Sequence, residues 1–152
     1  MGINKYYWLA LIPVVAFVIG FTILPDEIST NGKKVTVYKS PTCGCCVNYI
    51  SILKQAGYEV ETVKTENMAA IKDKYGISED MESCHTSVFE DYVVEGHVPL
   101  SVVDKLLTEK PDIRGIALPD MPAGSPGMAG FKREPFKIYA LSDNDTSIYI
   151  EE

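Results

Sequence analysis

Lys34-Val-Thr-Val-Tyr-Lys-Ser-Pro-Thr-Cys-Gly-Cys-Cys-Val-Asn-Tyr-Ile50 changes periodicity within a few residues. Lys34 to Tyr38 alternates polar and apolar side chains, the pattern of a strand with one buried face. Ser40, Pro41 and Thr42 then break the pattern. Beyond them Cys46, Tyr49, Ile50 and Leu53 stand at i, i+3, i+4 and i+7, which predicts a helix over about 44–56 with Gly57 able to supply a left-handed C-terminal cap. Cys43, Cys45 and Cys46 therefore fall where a strand hands over to a helix. Free N–H groups and the helix dipole favour negative charge at that point, so thiolates are stabilised there.

Working outward, Tyr58 to Val63 reads as a second strand. Thr65 is placed to cap a second helix whose inner face is Met68, Ile71 and Tyr75 and which Gly76 ends. Val88-Phe89 and Tyr92-Val94, joined across Glu90-Asp91, predict a hairpin. Pro99 opens a third helix carrying Val102, Val103, Leu106 and Leu107, which stops before Pro111. Residues 114–130, RGIALPDMPAGSPGMAG, are too broken by glycine and proline for a helix and too apolar for a plain linker, so they predict an ordered loop. Phe136–Leu141 and Thr146–Ile150 flank Ser-Asp-Asn-Asp as a terminal hairpin. A β-α-β unit followed by a helix, a β-hairpin and a helix is the element order of thioredoxin-like α/β folds. In such a fold Cys84-His85-Thr86, just before the hairpin, would face the first cysteine group, where thioredoxins carry a cis-proline loop; here that place holds no proline.

Upstream, Tyr6 to Leu24 are 19 consecutive residues without a charge. At about 1.5 Å per residue, a helix of that length approaches the roughly 30 Å apolar thickness of a bilayer. Lys5 precedes it and Asp26 and Glu27 follow, so the N-terminus is expected in the cytoplasm and the remainder outside. The expected organisation is an anchor over 1–24, a linker over 25–32 and a thioredoxin-like domain over 33–152. A cleaved signal peptide is the rival, disfavoured by the length of the apolar run and the lack of an A-x-A-like site. The domain is exported in either case, to a single-pass membrane-bound place on the periplasmic side or to the periplasm or medium.

A chain of 152 residues holds one domain of ordinary size. With 21 acidic against 14 basic residues, a net charge of −7 and no basic cluster, binding to nucleic acid phosphates is disfavoured. No Ser-His-Asp arrangement, phosphate-binding glycine loop or paired-carboxylate motif points to a hydrolase or transferase.

The information about function sits in four cysteines. Cys45 and Cys46 are adjacent, with alpha carbons about 3.8 Å apart, too close for a relaxed disulfide. Cys43 and Cys46, one turn apart, are able to pair; four cysteines allow three connectivities and leave the choice open. Three thiols within four positions, with Cys84-His85 opposite, form a soft ligand set suited to Cu(I) or Zn(II). The C-x-C-C spacing matches structural zinc only in part, and bunched thiolates suit copper better.

Ser-Pro-Thr-Cys-Gly-Cys-Cys at 40–46, Ser-Cys-His-Thr at 83–86, Val-Val-Glu-Gly-His-Val-Pro at 93–99 and GIALPDMPAGSPGM at 115–128 occur in order. In these motifs the chain resembles the CopG-like family of exported metal-binding proteins associated with copper resistance, over about residues 34–140. The resemblance implies a thioredoxin-like domain that binds copper through Cys43, Cys45, Cys46, Cys84 and His85. His97, Met121 and Met128 are further candidates on which it says less.

Each candidate has a plainer alternative. The cysteines could form two structural disulfides in an oxidising compartment. His85 could be a hydrogen-bonded surface residue and His97 a capping or packing one. Met121 and Met128 could fill gaps in a core or lid. Three functions follow. The first is a copper-binding protein, more a binding protein than an enzyme, that sequesters, carries or redox-cycles copper as Cu(I) or Cu(II), with copper donor or acceptor proteins as partners. The second is a thiol–disulfide oxidoreductase using Cys43 and Cys46. The third is a zinc- or disulfide-stabilised interaction domain.

Overall fold

The structure is a computed structural model of the chain and describes residues 32–142 and 146–152. The alternating segment forms β1 (Lys34–Lys39), with Val35, Val37 and Lys39 on its buried side. Helix α1 (Gly44–Gln55) follows after the Ser-Pro-Thr break and buries Cys46, Tyr49, Ile50 and Leu53, the face its spacing predicts. Ala56 is its cap and Gly57 takes the left-handed conformation, φ 89°. β2 (Glu59–Lys64) starts one residue later than expected and pairs parallel with β1, so α1 is the crossover that a parallel pair requires.

Helix α2 (Met68–Lys74) is capped by Asn67 rather than Thr65: the Asn67 side-chain Oδ1 accepts from the Ala70 N–H at 3.1 Å. Thr65 acts one step earlier, where its hydroxyl accepts from the Asn67 N–H and turns the chain into the helix. A 3-10 turn (Glu79–Met81) leads to the hairpin of β3 (His85–Phe89) and β4 (Tyr92–Glu95), with Glu90 in the left-handed region at its tip. Helix α3 (Leu100–Glu109) begins after Pro99 and ends at Lys110, also left-handed, just before Pro111. The segment expected to be loop throughout contains a short strand, β5 (Gly115–Ala117). All three of its residues are buried, so it shows no alternation and gives no periodic signal. β6 (Lys137–Leu141) and β7 (Thr146–Glu151) form the terminal hairpin.

The strands make one mixed sheet in the order β2-β1-β3-β4-β5-β6-β7. Successive residues face opposite sides of it. Val94 and Ile116 join Val35, Val37, Phe89, Ile138 and the inner faces of α1 and α3 in the main core. Their neighbours Val93 and Ala117 turn the other way, where Ile77, Met81 and Leu141 form a second cluster with Tyr75 against it. The result is a mixed α/β architecture of three α-helices and seven strands among the described residues.

Register sets up the site. β1 pairs antiparallel with β3 so that Lys39 lies opposite His85, and β3 pairs with β4 so that Thr86 lies opposite Glu95. The end of β1, the start of β3 and the end of β4 therefore meet at one end of these three adjacent interior strands. The expected anchor over 1–24 and most of the linker over 25–32 lie outside the described residues, as does most of the β6–β7 turn. Among the described residues no helix is long and apolar enough to cross a membrane.

Candidate metal centre

Cys43 is the N-cap of α1, and its sulfur accepts the Cys46 N–H at 3.3 Å, taking the place a Ser or Asp oxygen usually fills. The preceding turn is tied to β1 by Lys39, whose ammonium donates to the carbonyls of Ser40 at 2.7 Å and Pro41 at 3.4 Å. Cys43 and Cys46 are joined as a disulfide, with alpha carbons 5.5 Å apart, while Cys45 and Cys84 are free thiols. This pairing leaves the adjacent Cys45 and Cys46 unlinked to each other and Cys84 free.

Cys84 arrives from the other side, on the residue before β3. Its sulfur lies 3.7 Å from those of Cys45 and Cys46, and Cys45 is 3.5 Å from Cys43. Two thiolates each about 2.3 Å from one tetrahedral ion stand about 3.8 Å apart, a spacing that the free thiols Cys45 and Cys84 already have, whereas Cys43 and Cys46 are bonded to each other. On its far side the Cys84 sulfur meets His85 Nδ1 at 3.4 Å and His97 Nε2 at 3.0 Å. The donors thus form two groups, Cys43/Cys45/Cys46/Cys84 and Cys84/His85/His97, each with all ligand atoms within 4.8 Å of one another. Cys84 belongs to both.

His97 owes its place to Gly96. That residue has φ 77°, and a β-carbon there would lie 2.5 Å from both the Leu118 carbonyl oxygen and the Ser83 hydroxyl. Only glycine lets the chain leave β4 in this direction. His97 Nδ1 is 2.6 Å from the Pro126 carbonyl oxygen, which can only accept, so Nδ1 carries the proton and the Nε2 lone pair faces the Cys84 thiol. A backbone carbonyl orienting the distal nitrogen is the usual support of a ligating histidine. His85 Nε2 is buried with no hydrogen-bond partner among the described residues, so Nδ1, beside the Cys84 sulfur, is the nitrogen placed to ligate. Tyr49 closes the floor, its ring centroid 4.8 Å from that of His85 and 5.3 Å from that of His97, with its hydroxyl donating to the Val98 carbonyl at 2.8 Å.

Burial disfavours charge on His85, His97 and Cys84. It pushes His85 down to about 3, helped by His97, Lys72 and Lys39, and it also lowers His97 against the opposing pull of the Pro126 carbonyl. It pushes the Cys84 thiol up to about 12, with Cys45 adding to the effect. Neutral imidazole is the form that binds metal, whereas Cys84 must lose its proton to do so.

The 118–130 loop covers the histidine side. Gly127, at φ 82°, lies where a β-carbon would be 2.8 Å from the Tyr49 nitrogen, and its carbonyl accepts from the Asn48 side chain at 3.2 Å. Met128 follows on this docked segment and is half-buried; Met121 is on the outer part of the loop and 39% exposed. Two buried charged residues near Cys84, Glu95 and Lys72, escaped the sequence reading. Lys72 stands at i+4 from Met68 on the inner face of α2, a weak sign of burial. Glu95 simply continues the apolar run of β4.

Fold and site define a mixed α/β protein with a candidate metal centre built from soft sulfur and imidazole donors. The family model described as "Protein of unknown function, DUF411" matches residues 81–128. Two solved structures, forms 1 and 2 of a "Copper resistance protein copG", are each 35% identical, align with a TM-score of 0.73, and cover 80% of this chain and 98% of their own. The chain belongs to this CopG-like copper resistance family. No curated protein matches it.

Proposed function

We propose that this chain is an extracytoplasmic copper-binding protein that serves copper handling and resistance. It holds Cu(I), as more than one ion, between Cys43, Cys45, Cys46, Cys84, His85 and His97. The observation that carries this is the position of Cys84, whose sulfur is within ligand-bridging distance of the Cys45 thiol and the Cys46 sulfur on one side and two imidazoles on the other. Soft thiolates select Cu(I). The titles of the two related structures name copper resistance, which supports copper as the cargo. Met128 is a candidate additional thioether ligand, and Met121 a weaker one.

The domain is thioredoxin-like in this proposal. Support comes from the order β2-β1-β3-β4, the parallel β1–β2 pair bridged by α1, and the cysteines at the start of that helix. Export past an N-terminal anchor agrees with the Cys43–Cys46 disulfide, since such bonds persist in oxidising compartments. Loading copper on all four sulfurs first requires that bond to be reduced by a thiol donor, two electrons and two protons giving two thiols. Copper donor and acceptor proteins are the partners this function needs.

The test is competition. The full chain, reduced anaerobically, stripped of metal and offered Cu(I) and Zn(II) together, should retain more than one copper per chain by native mass spectrometry. One zinc per chain with no tightly held copper would sink the proposal. The Cys43–Cys46 pairing also favours a second function, thiol–disulfide exchange, in which Cys43 attacks and Cys46 resolves.

A further inference from the structure

Behind the candidate ligands lies a buried ion pair for which neither copper binding nor disulfide exchange has an evident use. Glu95, at the end of β4, is fully buried, and so nearly is Lys72 of α2; the ammonium donates to Glu95 Oε1. The remaining contacts of this pair converge on one short segment. Glu95 Oε1 also accepts the Ser83 N–H at 2.7 Å, and Oε2 accepts the Thr86 hydroxyl at 2.6 Å. Lys72 donates a second time, to the Ser83 carbonyl at 2.8 Å, which is the peptide unit leading into Cys84. On the other side of Cys84, the Gly96 N–H donates to the His85 carbonyl at 2.9 Å.

Cys84 is thereby bracketed. Both backbone polar groups of Ser83, the carbonyl of His85 and the side chain of Thr86 are held by Glu95, Gly96 and Lys72, which leaves side-chain rotation as the main freedom of the thiol. His97 follows two residues beyond Glu95, just past the end of β4, so one carboxylate sets the spacing between the Cys84 and His97 donors. Placing two charges in a protein interior gains little stability over an apolar pair of the same size. Precise placement of donor atoms is a use that does justify such a network, because ligand sites lose affinity when their supporting hydrogen bonds are cut.

We propose that Glu95, held by Lys72, is the positioning residue of the metal centre: it fixes the Ser83–Thr86 segment so that the Cys84 sulfur stands where both donor groups can share it. This rests on the copper function proposed above. It makes Glu95 neither a ligand nor a proton carrier, and its effect reaches the metal only through Cys84 and His97.

The test compares the full chain with Glu95→Gln, with the uncharged double variant Lys72→Met/Glu95→Gln, and with Thr86→Val. Copper affinity is measured by competition with a Cu(I) chelator, and copper–sulfur distances and the thiolate-to-copper absorption band are recorded for each. Glu95→Gln leaves an unpaired buried ammonium, so the double variant guards against misfolding, and Thr86→Val is isosteric and adds no charge. The expected result is loss of about tenfold in affinity or more in the Glu95 variants, a smaller loss in Thr86→Val, and a shifted band in all three. Leu106→Ala, a remote core change, should lower thermal stability and leave the band where it is; a band that follows stability across the whole set would make the network merely structural. Wild-type affinity and spectrum in every folded variant would overturn the proposal. A wild-type chain that holds no copper would overturn the copper function itself, and this proposal with it.

Discussion

Cys84 illustrates what a single residue contributes when it is shared. Its sulfur closes the thiol group formed at the start of α1 and also faces two imidazoles. Truncating it to serine should cost more copper than truncating any one thiol of the α1 group. Cys45→Ser should in turn lower copper per chain as much as Cys43→Ser, because a small thiolate cluster depends on every ligand. His85→Ala should weaken binding less than either. Metal analysis of these variants, paired with a disulfide-reduction assay, checks the order. If Cys45→Ser and Cys84→Ser keep full copper while Cys43→Ser and Cys46→Ser alone abolish a strong reductase activity, thiol exchange replaces copper binding as the function. The cysteine positions were legible in the sequence because the strand-to-helix switch places them. The role of Glu95 was not, since a hydrogen bond to a backbone twelve residues away leaves no trace in spacing or composition.

At the scale of elements, the strand ends and the covering loop decide the geometry. The alternation of β1 and the 3.6-residue spacing of α1 and α3 were readable because each has one buried face. β5 was not, because a short strand buried on both sides inside a glycine- and proline-rich stretch has no period. The loop after it presses Gly127 against α1 and presents the Pro126 carbonyl to His97. Gly127→Ala forces a β-carbon against the Tyr49 backbone at a left-handed position. It should destabilise the domain by about 1–3 kcal/mol in denaturant unfolding. Nitrogen NMR should find His97 protonated at Nδ1 in the wild type, and this preference should fade in the variant as the loop lifts. Unchanged stability together with an unchanged tautomer would show that the loop does not orient His97.

For the whole molecule, of net charge −7, the sequence separates a long uncharged N-terminal run from an acidic domain. The proposed anchor implies that protease added to spheroplasts digests the domain, and that the intact chain stays with membranes after a high-salt wash. Recovery of a soluble chain lacking residues 1–24 would replace the anchor with a cleaved signal. The mixed α/β class was legible from the alternation of strand and helix patterns. The order of seven strands was not, because register depends on contacts between segments far apart in the chain. The Cys43–Cys46 bond gives the domain a property of another kind. While it is closed, two of the four sulfurs are spoken for, and the socket is only half open whatever the copper concentration around it. In the proposed function, uptake would therefore answer to two keys, a metal ion and a pair of electrons, and the copper load would record how reducing the surroundings have been.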